Sequence, residues 1–85
     1  MQILLHKNFK KNYKKLTPAQ KAKFKERRNL FLREKFDPLL NNHALKGEWL
    51  GCRSISVGGD LRAIFKEKDD VIIFVTIDSH SNLYK

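Results

Sequence analysis

CRSISVGGDLRAIFKEKDDVIIFVTI, residues 52–77, decides the fold. Its period is that of strands, whereas the chain before it has a helical period. Cys52 to Val57 is read as one strand, and Gly58-Gly59 as a hairpin turn. Asp60 to Lys66 makes a second strand, and Lys68-Asp69-Asp70 a second turn. Val71 to Ile77, VIIFVTI, is nearly continuous apolar sequence and reads as a strand covered on both faces. Side chains alternate along a strand, so Leu61, Ala63 and Phe65 share one face and Asp60, Arg62, Ile64 and Lys66 the other. The first set belongs against helices. The second is then expected on an open face, joined by Cys52, Ser54 and Ser56.

Upstream lies what covers the apolar face. Gln2 to Leu5 reads as a short strand. Phe9, Tyr13 and Leu16 stand at i, i+4 and i+7, the apolar stripe of a first helix. Thr17-Pro18-Ala19-Gln20 starts a second, with Thr17 as N-cap, Pro18 at the first helical position and Gln20 closing a capping box. This helix is expected to run to about Lys35, with Phe24, Phe31, Leu32 and Phe36 along one stripe, until Asp37-Pro38 ends it. Residues 38–51 connect it to the strands. The expected architecture is α+β, β-α-α-β-β-β, with two N-terminal helices on one face of a small antiparallel sheet. The chain forms a single domain, residues 1–85, without repeats.

Composition limits the function. Eighty-five residues leave no room for a nucleotide-binding unit plus a substrate domain, so a site must be a shallow surface. The single cysteine, Cys52, excludes an internal disulfide and a multi-cysteine zinc site. Ile3-Leu4-Leu5 is too short for a signal-peptide core or a membrane span, so a cytoplasmic, soluble protein is expected, with no membrane partner. The net charge of +9 is uneven. Residues 1–36 hold twelve Lys/Arg against two acids, and residues 37–85 hold six against seven. The basic half points to a polyanion, whether nucleic acid, an anionic membrane or an acidic protein, with Lys10, Lys11, Lys14 and Lys15 as the candidate contacts and RNA-binding residues if the polyanion is RNA. The plain alternative is a solvated helix surface.

Candidate chemistry lies on the open face. Arg62 offers a planar fork matched to phosphate. His80 follows the last strand, four residues before Tyr84, and His43 lies just ahead of the sheet. Metal-free RNA cleavage needs a base for the ribose 2′-OH, an acid for the departing 5′ oxygen and a cation for the phosphorane charge. Histidine suits the first two by its ordinary pKa, and an aromatic ring can stack on an unpaired base. Each residue also has a plainer role: Asp60 as a turn residue, Arg62 in a weak surface ion pair, His43 and His80 as loop histidines, Tyr84 at the core edge. His6 and Arg53 are left without a role.

Three segments carry a family resemblance. Asn42 to Ser54, NHALKGEWLGCRS, resembles the "His, x, Leu, x, Gly … Gly, x, Arg" segment of the RelE/ParE toxin superfamily. Gly59 to Phe65 is similar to its "Asp, x, Arg, hydrophobic" strand, and Ile77 to Tyr84 to its terminal histidine-and-aromatic pattern. Together they resemble the YafQ-like branch over residues 42–84. The resemblance implies an mRNA endonuclease of a type II toxin–antitoxin system, often acting on the ribosome and held inactive by a cognate antitoxin, with no cofactor. It implies roles for His43, Asp60, Arg62, His80 and Tyr84: His80 as general acid, Asp60 or His43 as base, Arg62 as clamp, Tyr84 as stacking or orienting group. The chain departs from the pattern at four positions. Ser56 replaces a histidine, Leu61 an aromatic, Thr76 an arginine and Asp78 a glycine. Two rival readings share the fold: a ParE-like topoisomerase inhibitor without nuclease chemistry, and an RNA-binding domain that has lost activity.

Overall fold

A computed structural model describes residues 1–84. The chain begins with β1 (Gln2–Leu5), α1 (Lys7–Lys14) and α2 (Pro18–Arg33). After a 3-10 turn at Pro38–Leu40 come β2 (His43–Ala44) and a second 3-10 turn at Gly47–Trp49. Then follow β3 (Arg53–Gly58), β4 (Leu61–Lys68), β5 (Val71–Ser79) and α3 (His80–Leu83). The α+β class and the two N-terminal helices agree with the sequence reading, whereas α3, a single turn at the chain's end, is not among the expected elements. The sheet is richer than expected: five strands in the order β1-β5-β4-β3-β2, with β1 parallel to β5 and every other pair antiparallel. A strand followed by helices that pack back across the sheet can re-enter beside the last strand only over a long connection, which is what parallel pairing requires.

The helix starts follow local chemistry. Gln20 N–H donates to Thr17 Oγ1 at 3.1 Å and Thr17 N–H to Gln20 Oε1 at 2.9 Å, a complete capping box with Pro18 behind it. α2 ends at Arg33, two residues earlier than expected, because Glu34 leaves helical torsions at φ −150°. Phe36 therefore falls beyond the helix and is 61% exposed, while Leu32, still within α2 but one residue past the buried Phe31, is turned off the buried stripe and is 45% exposed.

The main core lies between α1, α2 and the sheet. Phe9, Phe24, Phe31, Phe65 and Phe74 interlock there, with Phe31 and Phe65 centroids 5.0 Å apart and Phe9 and Phe24 5.1 Å apart. Each buried phenylalanine stabilises the fold by about 1.5–3 kcal/mol. Two bulges adjust the sheet to this core. Between Ile64/Thr76 and Phe65/Phe74 the pairing skips Val75, so Phe74 and Ile77, three apart, both face the helices. Val57 is likewise skipped between Ser56/Arg62 and Gly58/Leu61.

The opposite face is not fully open. Leu45, Cys52, Ile64 and Leu83 form a second buried cluster under the chain's tail, with Trp49 and Tyr84 packed against it. Trp49 Nε1 donates to the Leu83 carbonyl at 3.2 Å and fastens the tail down. Ile64 shares the face of Arg62, as strand alternation requires, yet it is completely buried because the tail folds back over it.

Candidate active site

The site sits where the β3–β4 hairpin, the end of β5 and α3 meet. The hairpin closes with a two-residue loop, Gly59-Asp60, between the paired Gly58 and Leu61. Gly59 has φ +54°, a conformation L side chains rarely adopt. Asp60 thus lies in the turn, exposed, and not on the strand as expected. Register, not strand alternation, sets its position. Its carbonyl accepts the His80 N–H at 2.8 Å, which ties the hairpin tip to the first residue of α3.

Arg62 lies one residue into β4, in a cross-strand row with Ser56 on β3 and Asp78 on β5. Its Nη1 donates to the carbonyls of Gly59 at 3.0 Å and Leu61 at 3.1 Å, so the guanidinium folds over the hairpin and braces it. It forms no ion pair with Asp78. The Asp78 carboxylate accepts from Ser79 N–H at 2.7 Å and Asn82 Nδ2 at 3.0 Å, shaping the turn into α3. Ser79 caps that turn by accepting from Asn82 N–H.

His80 is exposed, and its ring lies 4.6 Å centroid to centroid from Tyr84, inclined at 55°. Tyr84 is half-buried on the second cluster, with its hydroxyl enclosed and without a partner among the described residues. Asp60, Arg62, His80 and Tyr84 are therefore brought together. His43 stands in the neighbouring row with Ser54, Ile64 and Thr76. It is exposed, and its Nδ1 lies 2.8 Å from the Asn41 carbonyl. His43 thus flanks the group at the β2 edge and is not at its centre.

The four candidate lysines divide. Lys10 and Lys14 line a cleft between α1 and α2 with Lys25 and Arg28, over a floor of Leu5, Phe9, Tyr13 and Phe24. Lys15 lines a depression with Asn12, Leu16, Ile77, Asp78 and Asn82, beside the candidate site. Lys11 is exposed.

Three residues were missed in the sequence. Asp78 joins the Arg62 row only through the β4–β5 register. Ser54, expected on the open face, is instead fully buried because the tail covers its row, and it presents a hydroxyl without a partner among the described residues beside His43. Asn12 reaches from α1 to donate to Thr76 Oγ1 at 2.9 Å. Two of the departures from the family pattern are absorbed into structure: Leu61 lies in the main core, and Thr76 is buried against Asn12. Among the described residues no cluster of His, Cys, Asp and Glu is arranged to hold a metal ion. No described helix is long and apolar enough to cross a membrane.

Comparison with known proteins places the fold and the family. The crystal structure of YafQ from E. coli strain BL21(DE3) superposes with a TM-score of 0.81 at 24% identity, covering 99% of this chain and 98% of that one. A copper-bound mutant toxin from Helicobacter pylori is 30% identical over 99% of both chains, with a TM-score of 0.75. The E. coli DinJ-YafQ toxin–antitoxin complex contains a chain 25% identical, with a TM-score of 0.78, covering 99% of this chain and 97% of that one. No curated protein matches the sequence. The sequence profile of YafQ, a bacterial toxin of type II toxin–antitoxin systems, matches residues 1–85, N-terminal helices included. With that full-length match and a relative 30% identical over nearly all of both chains, the chain belongs to the YafQ family of type II toxins.

Proposed function

We propose that this toxin is a metal-independent endoribonuclease that cleaves mRNA at the ribosomal A site. The observation that carries the reading is the meeting of Asp60, Arg62, His80 and Tyr84 at one end of the sheet, beside the basic first helix. Arg62 holds the scissile phosphate and stabilises the charge that builds on it. It needs only to rotate off the two hairpin carbonyls, one exposed and one part-buried. His80 gives its proton to the departing 5′ oxygen. Asp60, or His43 from the flank, takes the proton of the attacking 2′-OH. Tyr84 backs the His80 ring and offers its own face to a base. The lysines of α1 and Lys15 at its C-cap hold the RNA backbone, Lys15 nearest the site.

A cognate antitoxin is the natural protein partner, as in the DinJ-YafQ complex. An acidic or amphipathic segment lying across the basic surface would complement it. One observation favours a second reading, an RNA-binding domain with weakened chemistry: Leu61 and Thr76 are committed to packing and offer the substrate nothing. Primer extension on a reporter mRNA after induction decides between the two. Discrete new 5′ ends support the nuclease. Ribosome binding without new ends supports the weaker reading, and a ParE-like action would leave mRNA intact and topoisomerase inhibited.

A further inference from the structure

Around the β2 edge from His43 lies a second, unassigned feature. Phe36 is 61% exposed, although it stands in a fixed piece of backbone. The Lys35 carbonyl accepts from Asn42 Nδ2 at 3.0 Å, and Asp37 N–H donates to the Glu34 carbonyl at 3.0 Å. Asn42 also accepts from Arg53 Nε through its Oδ1 at 2.8 Å. This bond sets the Arg53 guanidinium over the Phe36 ring, 5.6 Å from its centroid, while most of Phe36 stays exposed. Lys35 Nζ lies 5.8 Å from the same ring, but Glu67 neutralises it at 2.9 Å. Arg53 has no carboxylate partner among the described residues. The corner therefore presents an exposed aromatic surface beside one uncompensated, immobilised cation.

Folding alone does not account for this. An exposed phenylalanine gains little from burial, and the two hydrogen bonds of Asn42 hold the corner in place before any ligand arrives. An aromatic ring with an adjacent guanidinium suits a flat π-system that carries a negative charge nearby. The same asparagine that locks Arg53 directly precedes His43, so the corner is continuous with the candidate site.

We propose that Phe36 and Arg53 form a base-stacking subsite for an unpaired nucleotide of the RNA, flanking the scissile bond on the His43 side. The base lies on the Phe36 ring and its phosphate faces Arg53. Asn42 is a positioning residue that joins this subsite to His43. The inference rests on the ribonuclease reading for the identity of its ligand, but its binding can be measured without cleavage.

The test compares the full-length wild type with Phe36→Ala and Phe36→Trp on a dinucleotide and on a hexanucleotide extended on both sides. Stacking on an aromatic side chain predicts that Phe36→Ala raises the hexanucleotide KM roughly tenfold, within a range of about 5- to 150-fold, with kcat unchanged. The dinucleotide should not respond. Phe36→Trp should restore affinity, and a non-cleavable 2′-O-methyl hexanucleotide should quench the added indole, read as the difference from wild type. If the wild type cleaves nothing, anisotropy with the same 2′-O-methyl oligonucleotide replaces KM. Weaker binding by Phe36→Ala then upholds the subsite, and the nuclease reading is decided separately by the primer-extension experiment. Equal affinity of Phe36→Ala and wild type for the hexanucleotide, or an unquenched indole, overturns the proposal. So does a Phe36→Ala protein that binds RNA normally but loses its antitoxin, since the corner would then be a protein contact.

Discussion

Ser54→Ala is predicted to make the toxin more stable. Ser54 is completely buried on β3, between His43 and Ile64 in its cross-strand row, and its hydroxyl has no partner among the described residues. A buried hydroxyl left without a hydrogen bond costs about 1–3 kcal/mol relative to water. Alanine removes that cost and leaves a void of only one oxygen. The lower strand preference of alanine returns a few tenths of a kcal/mol, so the net gain is taken as about 1 kcal/mol. At roughly 2.1 cal/mol/K per residue, unfolding 85 residues carries an entropy near 0.18 kcal/mol/K. The melting temperature should therefore rise by about 5–6 °C. In urea the midpoint should rise by roughly 0.5–1 M at unchanged m-value. Thermal and urea unfolding of both proteins, followed by circular dichroism, check the figure. A loss of 1 kcal/mol or more in the alanine protein would refute the reasoning, for it would mean that the hydroxyl is bonded in the folded state.

Arg62→Ala and His80→Ala should each slow mRNA cleavage by about 100–1000-fold, and the double substitution should cost little more, because members of one catalytic unit are non-additive. Undiminished cleavage by His80→Ala would remove His80 from the mechanism. Tyr84→Phe should keep most activity while Tyr84→Ala loses it, since the hydroxyl is enclosed and only the ring faces His80; the reverse order would make the hydroxyl the working group. Replacing Lys10, Lys11, Lys14 and Lys15 together by Gln should flatten the salt dependence of RNA binding by roughly 0.7–0.9 per lost phosphate contact, and an unchanged slope would leave them as a solvated face. Thr17→Ala should destabilise by about 1 kcal/mol in urea unfolding, the usual cost of an N-cap, and an unshifted midpoint would show that the capping box is dispensable.

Features that depend on neighbours in the chain were legible in the sequence. The capping box at Thr17 and Gln20, the Gly-rich hairpin and the apolar stripe of Phe9, Tyr13 and Leu16 each rest on local geometry, and each is present in the fold. Features that depend on register were not. Nothing near Gln2–Leu5 announces a parallel partner seventy residues away, and β2 has only two residues, too few for any pattern. Strand alternation runs through Asp60 and puts it on the strand, whereas the loop needs it as its second residue. Phe36 fits a helical stripe by spacing, but the helix stops at Arg33 and leaves the ring outside. The grouping of Arg62 with His80 could be anticipated from topology. Its neighbour Asp78 could not, since only the bulge at Val75 assigns that residue its face.

That bulge works as a phase shifter. Before Val75, the even-numbered residues Ile72 and Phe74 point toward the helices; after it, odd-numbered Ile77 does, and even-numbered Asp78 stands in the Arg62 row. One residue in nine inverts the side on which everything C-terminal to it emerges, including the turn that delivers His80 and Tyr84. Deleting Val75 would keep every side chain of the site in the sequence and yet present the end of β5 to the wrong layer. A chain this small has no spare loop between β5 and α3 in which to rotate back. The chemistry of the tail thus hangs on a valine that the β4–β5 register skips, and sequence comparisons within the family are most informative when they ask whether that one-residue offset is kept.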